Sequence, residues 1–294
     1  MSTSAIDEAG QRTFEQVRPR LFGIAYRMLG TAAEAEDVVQ SAWLRWQGAD
    51  RDAVREPAAF LATTVTRLAL NELDSARARR EVYVGPWLPE PVSTAEDPAL
   101  GAERGEALEL AVVLLLERLS PAERAAYVLH EAFGYPFRQV AEVLEVSEAN
   151  ARQLASRART RLEQDRGRRA DPAQRARLFE AFLMAARAGD LERLEAVLTA
   201  DVVSMSDGGG VVQAARKPVQ GRDHVARFVL GVLEKFSQGD DFELAELNGQ
   251  PAVLAIRDGR VRGVVTMDAS PEGIDRLMFV INPDKLARLT PVAA

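Results

Sequence analysis

The chain has 294 residues, with 37 lysines and arginines against 44 aspartates and glutamates, a net charge of −7. That length leaves room for two or three domains, and the acidic balance argues against a free-standing nucleic-acid binder driven by bulk positive charge. Cysteine is absent, which excludes a disulfide framework and a thiolate metal site and suits a reducing compartment. No apolar run reaches membrane-span length, and the acidic, polar start MSTSAIDEAG is not a signal peptide.

Residues from about Thr13 to Glu81 read as all helix. Phe14, Val17, Leu21, Ile24, Ala25 and Met28 form one stripe at helical spacing, ending at Gly30. Thr31-Ala-Ala-Glu34 is a capping-box pattern. It opens a second helix with Val38, Val39, Ala42, Trp43 and Trp46 inside and Glu36, Asp37, Gln40 and Arg45 outside. After a polar loop, Gly48 to Glu56, Pro57 sits well as the first residue of a third helix. That helix buries Phe60, Leu61, Val65, Leu68, Ala69 and Leu73, and ends in the cluster Arg77, Arg79, Arg80. Tyr83 to Gly101 has four prolines and no period, so it reads as a linker. WLPEP, at Trp87 to Pro91, is unusual in a linker and predicts docking onto a neighbour, because an indole is not readily left in water.

Two helices follow, Glu103 to Arg118 and, after a Ser120 N-cap, Pro121 to Phe133. FRQVAEVLEVSEANARQLASRARTRL, Phe137 to Leu162, then reads as two amphipathic helices broken at Glu145-Val146-Ser147. The first carries Val140, Ala141, Val143 and Leu144. Ser147 N-caps the second, which buries Ala151, Leu154, Ala155, Ala158 and Leu162. Its other face shows Asn150, Arg152, Gln153, Ser156, Arg157 and Arg159. This is the outline of a helix-turn-helix whose second helix can enter a DNA major groove. From Arg152 to Arg169 seven arginines face two acids, whereas Gly101 to Asn150 holds four basic and nine acidic residues. A small DNA-reading edge on a body that repels nucleic acid predicts weak intrinsic binding, with a larger partner supplying most of the affinity.

From Asp171 the pattern changes. Helices Ala173 to Ala188 and Leu191 to Leu198 precede expected strands Val202 to Ser206, Val211 to Ala215, Phe242 to Leu247, Ala252 to Arg257, Arg260 to Asp268 and Ile274 to Ile281. Asn248-Gly249 and Asp258-Gly259 are hairpin signals. A helix from Asp223 to Phe236 interrupts the strands, and a short one, Asp284 to Leu289, ends the chain. The order implies an α+β domain with a curved antiparallel sheet.

Residues ~13 to 81 and ~103 to 165 resemble the two DNA- and polymerase-binding domains of sigma-70 family transcription factors of the extracytoplasmic-function (ECF) type. The segments that carry the resemblance are AEDVVQSAWLRW, PAAFLATTVTRLALNELDSARARR, LSPAERAAYVLHEAFGYPFRQVAEVL and VSEANARQLASRARTRL, in order and spacing. The tail resembles SnoaL-like domains of the nuclear-transport-factor-like superfamily. WLPEP, DGGG at Asp207 and NPDKL at Asn282 are together similar to the ECF subgroup with such a fused domain, and Val211 stands where that subgroup commonly has lysine. The resemblance implies a multidomain protein: two all-α domains, the second with a helix-turn-helix, then an α+β domain. Its implied boundaries are 1–82 (region 2), 83–102 (linker), 103–169 (region 4) and 170–294 (tail).

The resemblance also implies roles. Glu36, Asp37, Gln40 and Arg45 would contact core RNA polymerase. Arg67, Asn71, Arg77, Arg79 and Arg80 would hold the melted −10 strand, with loop Gly48 to Glu56 as a base pocket. Asn150, Arg152, Gln153, Ser156, Arg157 and Arg159 would meet −35 DNA, the earlier residues with Glu148 near base edges and the later ones, with Arg161, near phosphates. Trp87, Pro89, Asp207, Gly208, Gly209, Gly210, Asn282 and Asp284 are expected to meet, docking the tail on the linker and the first domain, so that the tail replaces a separate anti-sigma protein. The partners implied are core polymerase and promoter DNA in the cytoplasm, with no membrane.

From the residues alone the dull alternatives stand: a solvated face on the second helix, and basic ends that complement helix dipoles. A stand-alone helix-turn-helix regulator and a SnoaL-like enzyme with a DNA-binding appendage are also open. Asp201, Asp207 and His224 are the candidate bases for the latter, with Phe179, Phe182 and Phe228 as pocket lining. Asp207-Gly-Gly-Gly reads first as a flexible surface turn. Only His130 and His224 occur, and there is no HExxH, so neither a metal site nor a catalytic residue is assigned, and no cofactor is implied. An apolar cone in the tail could hold a small ligand that biases docking.

Overall fold

The computed structural model describes residues 2–94, 109–166, 169–236 and 238–291. They form two compact units, Met1–Glu81 with Thr94–Asp165, and Val82–Ser93 with Arg166–Ala294.

In the first unit, α1 (Ser2–Leu29), α2 (Ala32–Gln47) and α3 (Pro57–Glu81) pack as a three-helix bundle. Thr31 starts α2 by accepting the Glu34 N–H at 3.4 Å. Trp46 is buried and donates its indole N–H to Gly10 O at 3.0 Å. Trp43, Phe60 and Leu68, expected inside, are only partly covered. From Leu21 to Gly30, α1 is buried all round, because α2 and α3 enclose one side and the second helical group of this unit encloses the other.

That group comprises α4 (Leu110–Leu116), α5 (Pro121–Tyr127), α6 (Phe137–Leu144) and α7 (Glu148–Arg166). The start expected for α4, at Glu103, lies outside the described residues. Ser120 and Glu123 form the reciprocal capping box of α5. The single helix expected to Phe133 changes winding: Val128–Ala132 is a π turn, closed by Phe133 N–H to Val128 O at 3.2 Å. Between α6 and α7, Glu145 is left-handed (φ 57°), Val146 N–H returns to Ala141 O, and Ser147 Oγ accepts the Asn150 N–H at 3.2 Å. The helix break is therefore built by the three residues that the sequence pattern indicated.

The second unit holds α8 (Pro172–Ala188), α9 (Leu191–Val197), β1 (Leu198–Asp207), β2 (Val219–Gln220), α10 (Arg222–Phe236), β3 (Asp241–Leu247), β4 (Gln250–Arg257), β5 (Arg260–Ser270), β6 (Gly273–Val280) and α11 (Pro283–Leu286). The six strands run β2-β1-β6-β5-β4-β3. The sheet is mixed rather than antiparallel throughout, since β1 and β6 are parallel. Helix α10 carries the chain across before the meander β3 to β6 brings β6 back beside β1. Asn248-Gly249 and Asp258-Gly259 make the two expected hairpins, with φ of 55° and 69°, and 53° and 69°. Val211 to Ala215 is not a strand. Val211 and Val212 N–H both donate to Gly208 O, at 3.0 and 3.1 Å, and that turn takes the backbone out of the ladder; Val219–Gln220 occupies the edge instead. Helices α8 to α10 close over one face of the sheet, with Phe179, Phe182, Leu194, Val225, Val229 and Leu277 in the core.

Candidate functional site

The exposed face of α7 is built by burying the opposite one. Ala151, Leu154, Ala155, Ala158 and Leu162 are all buried, which leaves Asn150, Arg152, Gln153, Ser156, Arg157 and Arg159 in solvent. Arg152 pairs with Glu148 one turn back, and its guanidinium lies 4.8 Å from the Phe137 ring centre. Arg157 and Arg161 face Glu123, at 3.6 and 2.7 Å, and Arg159 pairs with Glu131. The later arginines thus complement acids of their own domain, while the first turns of α7 carry the polar side chains suited to base edges.

On α3, Asn71 and Arg77 are exposed, and Arg77 lies 3.9 Å from Glu81. Arg79 is held by Glu34 at 2.5 Å and Glu72 at 3.0 Å. Arg67 donates to Glu142 O and Val143 O, at 3.1 and 3.2 Å, and pairs with Glu145 at 3.0 Å. Arg80 pairs with Glu117 and donates to Leu29 O. Arg124, 4% exposed, shares Glu117 at 2.7 Å and donates to Met28 O at 2.6 Å. Two guanidinium groups thus satisfy carbonyls in the last turn of α1, which lack helical partners. Burial pushes the pKa of each down to about 10. Two of the candidate −10 residues, Arg67 and Arg80, are therefore engaged by the helix-turn-helix group in this structure. In loop 48–56, the expected base pocket, Arg51 lies 5.5 Å from the Trp46 ring centre.

On α2, Asp37, Gln40 and Arg45 are exposed, and Glu36 is partly covered by Arg18 at 2.6 Å. Leu44, 62% exposed, shares their face. It was not among the expected contact residues, although an apolar residue at i+4 from Gln40 on an otherwise polar face is a signal for one.

In the second unit, residues 82–93 are clamped to the end of β1 and to α11. Asp207, expected in a surface turn, is fully buried. Its Oδ1 accepts from Tyr83 O–H at 2.5 Å and Gly209 N–H at 3.1 Å. Its Oδ2 accepts from Leu88 N–H at 2.8 Å and Lys285 Nζ at 2.7 Å. Lys285 also donates to Leu88 O at 2.5 Å and stands 4.4 Å from the Trp87 ring centre. Asn282 donates to Tyr83 Oη at 2.9 Å. Burial, then the Asp207 contact, raises the Tyr83 pKa. Gly209 (φ 65°) and Gly210 (φ 74°) let this happen: a Cβ would come within 2.5 Å of Asn282 and 3.0 Å of Val84 respectively. Gly208 is equally constrained, since its Cβ would meet Val212 O at 2.5 Å. A second anchor joins Val92 and buried Asn248 through both backbone and side chain, at 2.9 and 3.0 Å. Trp87 is half-buried, whereas Leu88, Pro89 and Glu90 are buried. Asp284 is exposed and its N–H is capped by Asn282; the neighbouring Lys285 reaches the segment instead. Tyr83, Asn248 and Lys285 were not among the expected site residues. Val211, at the subgroup's lysine position, is 71% exposed.

Between α8, α10 and the sheet lies a cavity of about 600 Å³. Phe182 and Phe228 line it, as expected, but Phe179 belongs to the core. None of the candidate bases faces it: Asp207 is in the clamp, and Asp201 and His224 are exposed elsewhere.

The profile for "Sigma-70 region 2" matches residues 13–79, and that for "Sigma-70, region 4" matches residues 109–162. The ECF RNA polymerase sigma factor SigJ of Mycobacterium tuberculosis is 42% identical over 289 residues, which cover 92% of this chain and 91% of that protein. The chain belongs to the ECF sigma factors. A second ECF relative from M. tuberculosis, described as a probable sigma factor SigI, is 33% identical over 92% of both chains. The crystal structure of M. tuberculosis SigJ matches with a TM-score of 0.77 at 38% identity, over 93% of this chain and 97% of that one. As an ECF sigma factor the protein binds RNA polymerase and promoter DNA and directs transcription initiation; it is not an enzyme. Because the similarity runs through the tail as well, neither the stand-alone regulator nor the enzyme with a DNA-binding appendage is retained.

Proposed function

We propose that this ECF sigma factor uses its own tail unit to set its activity, through the clamp on residues 82–93. The observation that supports this is Asp207, a wholly buried carboxylate whose donors come from both the tail and the segment that follows α3. Residues 82–108 connect the −10 helix α3 to α4. Fully extended they could reach roughly 90 Å, and with 82–93 held by the tail the remainder reaches roughly 50 Å. Clamping therefore limits how far the two promoter-binding regions can separate, with no need for a separate anti-sigma protein.

The rest of the reading assigns surfaces. Asp37, Gln40 and Arg45, with Glu36 beside them and Leu44 at their centre, contact core polymerase. Asn150, Arg152 and Gln153 read the −35 element, while Ser156, Arg157 and Arg159 follow its backbone. Arg67, Asn71, Arg77, Arg79 and Arg80 take the melted −10 strand. Since Arg67 and Arg80 are engaged by the helix-turn-helix group, promoter capture requires polymerase to draw the two regions apart. The working compartment is the cytoplasm, where the polymerase is; no helix among the described residues is long and apolar enough to cross a membrane.

Run-off transcription with core polymerase tests the assignment. Asp207→Ala and Trp87→Ala are expected to change output or promoter preference at equal protein level. Wild-type output and preference from both would overturn the regulatory role of the clamp.

A further inference from the structure

The tail cavity has a two-part character. Its wall is apolar, with Phe182, Phe228, Phe242, Val253, Val265 and Phe279, and its volume lies within the range of small-molecule sites. Its rim is cationic. Arg187, Lys235 and Arg262 line the cavity, are exposed, and have no ion-pair partner among the described residues. Asp240 is the one carboxylate among the lining residues, and Arg257 holds it at 2.6 Å while donating to Gln238 O at 2.7 Å. The rim therefore keeps three uncompensated positive charges on a chain of net charge −7. The exposed arginines of α7 are matched with acids, whereas these three cations gather unpaired, among the described residues, around one apolar cavity, a setting that suits an anionic head on an apolar body.

We propose that this cavity binds a lipophilic carboxylic acid as its anion, with the hydrocarbon body against the phenylalanines and the carboxylate at the Arg187, Lys235 and Arg262 rim. Arginine suits a carboxylate by its fork of donors, and the apolar wall supplies the burial. The site also touches the clamp. Val212 to Ala215 form part of the cavity wall. The same loop backs the clamped segment, where a Cβ on Gly85 would lie 3.8 Å from Arg216 Cα and 4.0 Å from Ala215 O. An occupant that shifts this loop shifts the seat of residues 82–93. That coupling rests on the regulatory reading above, whereas the binding itself does not.

Calorimetry on the full chain tests the site with decanoate and, as the control of opposite charge, decyltrimethylammonium. Saturable one-to-one binding of decanoate is expected, at least tenfold tighter than the cation and weaker at high salt. Arg187→Glu with Arg262→Glu, both exposed and outside the core, should weaken decanoate at least tenfold. Ala255→Trp, which fills the cavity, should abolish binding. Equal affinity for the two amphiphiles, or undiminished decanoate binding in the double charge reversal, would overturn the proposal whether or not the tryptophan variant folds. Amide exchange over residues 82–94 reads the coupling separately: a change of at least threefold at decanoate saturation supports it, and no change overturns the coupling while leaving the transcription tests of the clamp unaffected.

Discussion

Replacing Asp207 with asparagine isolates the clamp, because the substitution preserves shape and removes charge. The carboxylate accepts from four donors, Tyr83 O–H, Gly209 N–H, Leu88 N–H and Lys285 Nζ. An amide has one oxygen and one NH₂, so either orientation sets a donor against a donor, and Lys285 loses its carboxylate partner while 8% exposed. Removing one member of a buried ion pair costs about 3–5 kcal/mol. Asp207 belongs to the tail while Tyr83 and Leu88 belong to the clamped segment, so the loss falls mainly on the docked state. The ratio of docked to released segment should fall by roughly a hundredfold to a few thousandfold. Amide exchange of the full chain reads this at Leu88 and Val92, whose N–H groups bond to Asp207 and Asn248. Exchange over 82–94 should accelerate by about two orders of magnitude or more, and much less over β4 and β5. Adding Lys285→Met should recover part of the protection by removing the stranded cation. Unchanged protection of 82–94, or an equal rise across the whole tail, would refute the view that Asp207 acts as a segment clamp.

Three further outcomes are expected. Glu117→Gln leaves Arg80 and Arg124 without their shared carboxylate at the contact between the two helical groups, a loss of about 3–5 kcal/mol; labels at Asp74 and Thr160, easily placed in a chain without cysteine, should move apart by energy transfer, and an unchanged distance would count against this contact as the latch. Arg152→Ala should lower transcription from the cognate promoter by roughly 5- to 150-fold, from about 1–3 kcal/mol of base discrimination, with relaxed preference in a −35 variant series; retained preference would remove Arg152 from base reading. Asp275 has its pKa raised from 3.8 to about 6, first by burial and then by Asp268. Between about pH 4 and 6 the folded tail keeps a proton that the unfolded chain has lost, so stability falls as pH rises through that window. The gap is worth at most about 3 kcal/mol, and solvent around this half-buried group brings it nearer to about 1 kcal/mol. Asp275→Asn should therefore raise the melting temperature at pH 7 more than at pH 4.5; an equal gain at both would show that its charge is not the cause.

The helix-turn-helix group was legible because its signals are local. Ser120 with Glu123, and Ser147 with Asn150, lie three residues apart, and the buried set Ala151, Leu154, Ala155, Ala158 and Leu162 follows directly from helical period. The π turn at Val128–Ala132 has no comparable signature, since its extra residue per turn answers to packing against α1. The engagement of Arg67 and Arg80 was illegible for a related reason. A basic residue on an exposed stripe reads the same whether it awaits phosphate or already meets a carbonyl such as Glu142 O or Leu29 O.

In the tail, hairpins closed by Asn248-Gly249 and Asp258-Gly259 could be read because each turn specifies its own pairing. The parallel β1–β6 pairing could not, since Ser204 and Leu277 are partners separated by most of the domain. The clamp falls between these cases. Its glycines announced a special backbone, but whether that backbone faces water or a partner depends on what approaches it. A run of three glycines beside an acid is equally consistent with a flexible surface turn. Only the steric fact that a Cβ on Gly209 would strike Asn282, and one on Gly210 would strike Val84, shows that the absent side chains make room for chain segments far off in sequence. Asp207 then changes meaning. A carboxylate in a surface turn is replaceable, whereas a carboxylate buried with a lysine and three further donors links the segment after α3 to the tail, and its charge is needed there because it pairs at 2.7 Å with the buried Lys285 ammonium.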